Sequence, residues 1–311
     1  MSPRVPVVAI ASLLLASCDL APPSSYFVDE PQGILFVADD ENGNFQLFSI
    51  LPDGSNVRQV TDDHDYSISY ASWSPDRQSI AFLSSEGGVR FYGEALHFVR
   101  SDGTGKYKLD TGDSPNSSSG FLPIVWSPDS DEVAFFRLLV PEAAGFYKTV
   151  VAGGGRSRFL VDDLVKDHAY DWSDDGSTIL GDVQERLGSR LAAWNADTGE
   201  ELWSYGDSTT NFNAPLWSPG EDKIVFTLFS GGRSNLYLLN PASLERTVLT
   251  KGDYEYYVPV AWPNADTILA RGFTRDDRQR RIERILIIDS LTGEATDISP
   301  FANVTNSPTS W

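Results

Sequence analysis

The sequence predicts an all-β protein: a six-bladed β-propeller of four-stranded antiparallel blades, closed by the C-terminal strand completing the first blade. Three observations carry this expectation. A Trp-Ser-Pro-Asp motif recurs along the chain. Strand-like apolar runs follow each copy in the same order. No window holds a 3.6-residue apolar period, so almost no helix is expected.

The motif stands at Trp73-Ser74-Pro75-Asp76 and Trp126-Ser127-Pro128-Asp129, and again at Trp172-Ser173-Asp174-Asp175. Shorter forms are Trp217-Ser218-Pro219-Gly220 and Trp262-Pro263-Asn264, and the chain ends on Trp311. Successive Trp residues lie 53, 46, 45, 45 and 49 residues apart. Repeats of that period are characteristic of propeller blades. Ser, Pro and Asp suit the first three positions of a type I turn, because Pro presets φ and the short polar side chains bond the turn backbone. The Trp ends the preceding strand, where its large apolar surface can fill the space between sheets.

A first apolar run follows each motif: Ile80–Leu83, Val133–Phe136, Ile179-Leu180, Ile224–Phe226 and Ile268–Ala270. The second runs are Leu96–Val99, Tyr147–Val151, Leu191–Trp194, Leu236–Leu239 and Ile285–Ile288. The third are Tyr107–Leu109, Arg158–Val161, Glu201–Trp203, Arg246–Leu249 and Ala295–Ile298. Each repeat is therefore a four-stranded sheet. Upstream of the first motif lie three strands with no motif Trp: Ile34–Ala38, Phe45–Leu51 and Val57–Thr61. The segment Asn306–Trp311 supplies the missing inner strand, which closes the ring and leaves no open gap between blades. The competing arrangement, a two-sheet sandwich, does not account for six evenly spaced copies.

Composition narrows the function. Against 24 Lys+Arg stand 44 Asp+Glu, a net charge of -20 in 311 residues, which disfavours nucleic acid because phosphates are repelled. The single Cys excludes an internal disulfide. It is Cys18, and it follows Arg4 and the apolar or small stretch Val5–Ser17. Thirteen such residues are too short for a bilayer, which needs ~20, but suit a signal-peptide core.

Leu15-Ala16-Ser17-Cys18 resembles a bacterial lipobox. The resemblance implies that Cys18 is acylated and that cleavage precedes it; the alternative is a plain signal peptide with an incidental Cys. The expected organisation is residues 1–17 signal peptide, 18–32 tether and 33–311 propeller. The chain would sit in the bacterial cell envelope, lipid-anchored and facing the periplasm, as a monomer with no other membrane contact. Asp19 resembles an inner-membrane retention signal, although that rule does not transfer between phyla, so the choice of membrane stays open.

The first blade continues as Ile34-Leu35-Phe36-Val37-Ala38-Asp39, then Gly43-Asn44-Phe45-Gln46-Leu47-Phe48, then Pro52-Asp53-Gly54-Ser55 through Thr61. With the Trp motif, this is similar to the TolB-type propeller, whose WD-like repeat is built on Trp-Ser-Pro-Asp-Gly. The resemblance spans about Gly33 to Trp311 and implies the architecture far more strongly than a function. Such repeats also occur in propellers attached to prolyl-oligopeptidase-type hydrolases. In TolB itself an α/β domain precedes the propeller and the protein is soluble. Here only a tether and a lipid anchor would be expected before it, so a Tol–Pal role is not carried over.

Catalytic signatures are few. Gly-x-Ser-x-Gly and His-Glu-x-x-His are absent, and the Gly-rich runs Gly153–Gly155 and Gly231-Gly232 lack the Lys-Ser/Thr of a P-loop. His64, His97 and His168 have no metal-ligand spacing. Asp39–Asn44 resembles a calcium loop loosely but equally suits a hairpin turn. No cofactor is expected, and no metal site can be located. Carboxylate clusters (Asp62-Asp63 with Asp65, Asp162-Asp163, Asp174-Asp175) are numerous, as an acidic chain makes inevitable.

Long aromatic segments joining one blade to the next mark one face for binding. They include Asp62–Tyr70, Asp110–Phe121, Lys166–Asp171, Asp207–Asn213, Asp253–Tyr257 and Phe301–Asn306. Tyr66, Tyr70, Tyr170, Phe212, Tyr254, Tyr256 and Tyr257, with Asp253 and Glu255, are the candidate contact residues, since interfaces favour Tyr amid polar groups. The alternative is that these rings pack on their own loops. The expected function is non-catalytic: an envelope scaffold presenting this face to a protein, peptide or glycan. The competing expectation is a carbohydrate lyase or hydrolase using acidic residues in the funnel.

Overall fold

The computed structural model describes residues 33–39, 44–61, 66–86, 95–101, 104–108, 124–137, 145–151, 158–161, 168–206, 209–252, 254–275, 278–301 and 307–310. They form six four-stranded antiparallel sheets, with no helix among the described residues.

The first blade contains β1 (Ile34–Asp39), β2 (Phe45–Ile50) and β3 (Arg58–Gln59). Blade two runs β4 (Tyr66–Trp73), β5 (Ser79–Glu86), β6 (Ala95–Arg100) and β7 (Tyr107–Lys108). Blade three runs β8 (Val125–Trp126), β9 (Glu132–Arg137), β10 (Gly145–Val150) and β11 (Arg158–Val161). Blade four holds β12 (His168–Trp172), β13 (Thr178–Gln184), β14 (Ser189–Asn195) and β15 (Glu201–Tyr205). Blade five holds β16 (Asn211–Trp217), β17 (Ile224–Ser230), β18 (Arg233–Leu239) and β19 (Arg246–Val248). Blade six holds β20 (Tyr256–Asn264), β21 (Thr267–Arg275), β22 (Arg281–Asp289) and β23 (Ala295–Asp297).

The last strand, β24 (Ser307–Ser310), joins the first blade in the order β24-β1-β2-β3. Its antiparallel register aligns Leu35 with Ser310 and Val37 with Ser307. The expected closure is present; Trp311 itself lies outside the described residues. Without β24, β1, fully buried from Ile34 to Ala38, would be a bare sheet edge.

The motif chemistry follows the expected turn. Ser74 Oγ donates to Asp76 at 2.6 Å and accepts from Ser79 N–H at 2.9 Å, while Asp76 accepts from Gln78 N–H. Ser127 with Asp129 and Ser173 with Asp175 repeat the pattern. In the fifth blade Ser218 donates to Asp222 instead. The sixth copy has no Ser, and its inner strand runs straight through the motif to Asn264 before pairing with Thr267.

Every motif Trp among the described residues packs in a core shared by two blades. Trp73 joins Leu35 and Val37 of blade one to Ile80 and Phe82 of blade two. Trp126, Trp172, Trp217 and Trp262 occupy the next four interfaces. The sixth interface packs Ile34 and Phe36 against Leu269 and Ile285, which seals the ring. Burying roughly 150–250 Å² per aromatic ring makes these residues the main glue between sheets.

Candidate functional site: the channel cavity

Four inner strands start earlier than expected. β4, β12, β16 and β20 begin at Tyr66, His168, Asn211 and Tyr256, inside segments anticipated as inter-blade loops. The cause is pairing: β4 aligns with β5 from Tyr66 opposite Glu86, and β16 with β17 from Asn211 opposite Phe229. Strand alternation then turns several candidate contact residues inward. Phe212 and Tyr257 are each 1% exposed and belong to the cores of neighbouring interfaces, so neither can meet a partner on the loop face. Their assignment as surface contacts is corrected here.

Tyr254 is half-buried and meets Tyr257 edge-on at 5.4 Å. Tyr256 is half-buried against Phe229 and Phe273, with the Arg281 guanidinium 5.4 Å from its ring centre. Glu255 is held by Arg275 at 2.7 Å, which offsets the acidic charge expected there. Tyr66 is placed in β4 by its backbone. Cys18, Asp253 and His64 lie outside the described residues. His97 is buried and stacks on Phe82 at 5.2 Å, and His168 begins β12. Among the described residues no group of three His, Cys, Asp or Glu could hold a metal ion.

Tyr70 and Tyr170 leave the loop face altogether. They line a cavity of ≈ 480 Å³ in the central channel, walled by the ends of the inner strands and the motif turns. Trp73, Trp126, Trp172, Trp217 and Trp262 contribute to the wall, with Pro75, Pro219 and Pro263 from the turns. The cavity thus lies toward the Ser-Pro-Asp end, opposite the face that the sequence singled out.

Irregular register builds this wall. β12 shifts against β13 between Ala169 and Asp171, which makes Tyr170 the extra residue. β4 shifts between Ile68 and Tyr70, and β20 between Pro259 and Ala261. Bulges of this kind bend a strand and re-aim a side chain. Tyr170 donates its hydroxyl to Asn213 at 2.9 Å. Burial, reinforced by the nearby Asp182 charge, raises its pKa well above the usual phenol value. Burial likewise pushes Tyr70 up to about 12, against the opposing pull of Arg271. Both phenols are therefore neutral donors at physiological pH.

Asp171, at the end of the Lys166–Asp171 segment expected on the loop face, lines the cavity instead. Its Oδ1 accepts the Trp172 N–H at 2.9 Å and its Oδ2 the Trp217 N–H at 2.7 Å, so one carboxyl ties blade four to blade five. Burial pushes its pKa from 3.8 up to about 7, although both N–H groups pull the other way. Asp174 and Glu221 add repulsion. A sequence signal existed: the residues before the motif Trp are Ser72, Val125, Asp171, Leu216, Ala261 and Ser310, and Asp171 alone is charged. Arg77, which follows Asp76 of the second-blade motif, also lines the cavity.

No family model matches the chain. A curated relative, dipeptidyl-peptidase 5 of Porphyromonas gingivalis, is 25% identical over 274 residues, covering 82% of this chain. The chain spans 37% of that peptidase's length. Among solved structures, a TolB of Agrobacterium tumefaciens superposes with a TM-score of 0.66 at 16% identity, covering 89% of this chain and 98% of that one. An oligogalacturonate lyase of Vibrio parahaemolyticus superposes at 0.55 and 13% identity, covering 86% of this chain and 74% of that one. The repeat register, the strand-β24 closure and these superpositions agree that the chain has the TolB-like six-bladed β-propeller fold.

Proposed function

We propose that this chain is a binding propeller of the bacterial cell envelope, lipid-anchored through Cys18, that holds part of a protein, peptide or glycan partner in its channel cavity without transforming it. One observation carries the reading: the Asp171 carboxyl and the motif serine hydroxyls at the cavity already serve the fold. Both Asp171 oxygens are taken by backbone N–H groups of two blades. The Ser74 and Ser218 hydroxyls are engaged in their own turns. Covalent acyl transfer needs a nucleophile paired with a base, and these hydroxyls donate to turn carboxylates instead. The aromatic and proline wall is instead suited to recognition.

The test compares two variants in capture from envelope extract. Ala261→Phe fills the cavity, while Tyr256→Ala alters the loop face. A partner retained by wild type and Tyr256→Ala but lost by Ala261→Phe supports the channel. Loss with Tyr256→Ala alone moves the site to the loop face.

A second reading is enzymatic, favoured by a carboxyl in a cavity with a pKa near neutrality, the usual requirement for a general acid or base. The similarity to a peptidase and a lyase keeps company with it. Turnover of a peptide or an acidic oligosaccharide, abolished in Asp171→Asn, would establish that reading in place of the first.

A further inference from the structure

We propose that the tip of the β21–β22 hairpin, centred on Arg281, is a second docking surface, on the loop face, for a flexible carboxylate-rich segment of a partner protein. It is separate from the channel and stands whether or not the channel holds a ligand.

Charge sets this hairpin apart. Six of the chain's 24 Lys and Arg residues fall between Arg271 and Arg284, against three carboxylates, in a molecule of net charge -20. Its strands run for 9 residues each, against 7 in the hairpins of blades four and five. Tyr256 pairs with Phe273 while Asn264 pairs with Thr267, so Arg275 and Arg281 lie at the loop-face end, away from the motif turns.

The register then sets two like charges against each other. Arg275 stands directly opposite Arg281, an arrangement that costs stability. Arg275 is satisfied: its Nε donates to Glu255 at 2.7 Å and its Nη1 to the Gln279 carbonyl at 3.0 Å. Arg281 is exposed, and its side chain makes no ion pair or hydrogen bond among the described residues. Its guanidinium lies 3.7 Å from the Phe273 ring centre and 5.4 Å from that of Tyr256. Contact with a ring face holds the guanidinium in place and leaves its N–H fork open.

The surface continues into blade five. Tyr256 meets Phe229 at 5.8 Å and Phe273 at 6.2 Å, a row of rings between the two hairpins. Arg233, exposed at the start of β18, stands at the other end of the row: its neighbour Ser234 pairs with Phe229 and donates its N–H to the Glu255 carbonyl.

Charge and shape select the occupant. A carboxylate's two oxygens match the guanidinium fork. A flat anionic membrane or a second copy of the chain would meet a broad face of an acidic molecule and be repelled. A flexible segment touches the hairpin alone, and charges farther than about 8 Å are screened from it. Residues 275–281 also hold no apolar side chain to enter a bilayer.

Fluorescence anisotropy of labelled hexaglutamate and hexaglutamine, titrated with the full chain at physiological salt, tests this. Hexaglutamate should bind and hexaglutamine should not, with affinity falling as salt rises. Arg281→Gln should weaken binding at least about tenfold, as loss of one charged hydrogen bond does, with little change in melting temperature. Arg186→Gln, which removes an exposed arginine from the blade-four hairpin, should bind as wild type. Ala261→Phe should also bind as wild type, so its effect on an envelope partner reports on the channel alone. Equal binding of the two peptides, equal weakening by Arg186→Gln and Arg281→Gln, or no binding at physiological salt overturns the proposal. A preference for phosphatidylglycerol over phosphatidylcholine vesicles that Arg281→Gln abolishes, without peptide binding, overturns it in favour of a lipid surface.

Discussion

Asp171 makes a quantitative prediction because two opposed effects meet in one side chain. Its carboxyl is buried and titrates at about 7, against 3.8 in the unfolded chain. The folded state therefore holds the proton more tightly, and stability from this group is greatest at low pH. It is lost as pH rises from the unfolded value toward the folded one, and is level above that. Between pH 5 and pH 8 the loss amounts to about 2–3 kcal/mol. Against this, the carboxyl caps the Trp172 and Trp217 N–H groups. Leaving a buried donor open costs about 1–3 kcal/mol each.

Asp171→Ala should therefore be clearly destabilised at pH 5. At pH 8 it should approach wild type, because the ionised carboxyl has become costly there. Asp171→Asn keeps the shape and removes the titration, so its stability relative to wild type should improve by about 2–3 kcal/mol across the same interval. Urea unfolding of the three proteins at pH 5, 6, 7 and 8 measures this, and comparing variants cancels the titration of the other acidic residues. Parallel pH profiles for wild type and Asp171→Asn would refute the reasoning.

Deleting Asn306–Trp311 removes the strand paired with β1 and exposes Leu35, Phe36 and Val37 along an open edge; the truncated chain should melt far below the full one or aggregate, as thermal unfolding with light scattering will record. Tyr257→Ala should cost about 3–5 kcal/mol, the usual loss for a core aromatic, whereas Tyr256→Ala on the half-buried side should cost under about 1 kcal/mol. Equal costs in urea unfolding would place both rings on the same side of the sheet. Cys18→Ser should abolish labelling of cells' protein by clickable palmitate and leave the precursor uncleaved; label that persists in the variant would remove Cys18 as the anchor.

The blades were legible because their determinants are local. Trp73, Ser74 and Asp76 form a turn within a few residues, and the apolar runs after it are strands by composition alone. Strand starts were less legible. Tyr254 to Tyr257 read as an aromatic loop, but β21 is long enough to pair back to Tyr256, and that partner decides where β20 begins. The alternation of Tyr257 and Pro259 inward was present in the sequence, without the register needed to apply it. Phe212 went the same way, because Asn211 pairs with Phe229 in the next strand.

The sequence by itself determined the repeat, the number of blades, the closing strand and the acidic, helix-poor character of the chain, since each depends on residue type and short spacing. The channel cavity was decided only by tertiary structure. Its wall takes residues from Tyr70 to Pro263 and from five blades, brought together when the ring closes. Repeat equivalence predicts the same environment for every motif Trp, yet the Trp73, Trp126 and Trp172 indoles are paired and those of Trp217 and Trp262 are not. Which carbonyl an indole reaches depends on how each inner strand meets its neighbours around the ring, a non-local balance of packing that no stretch of adjacent residues encodes.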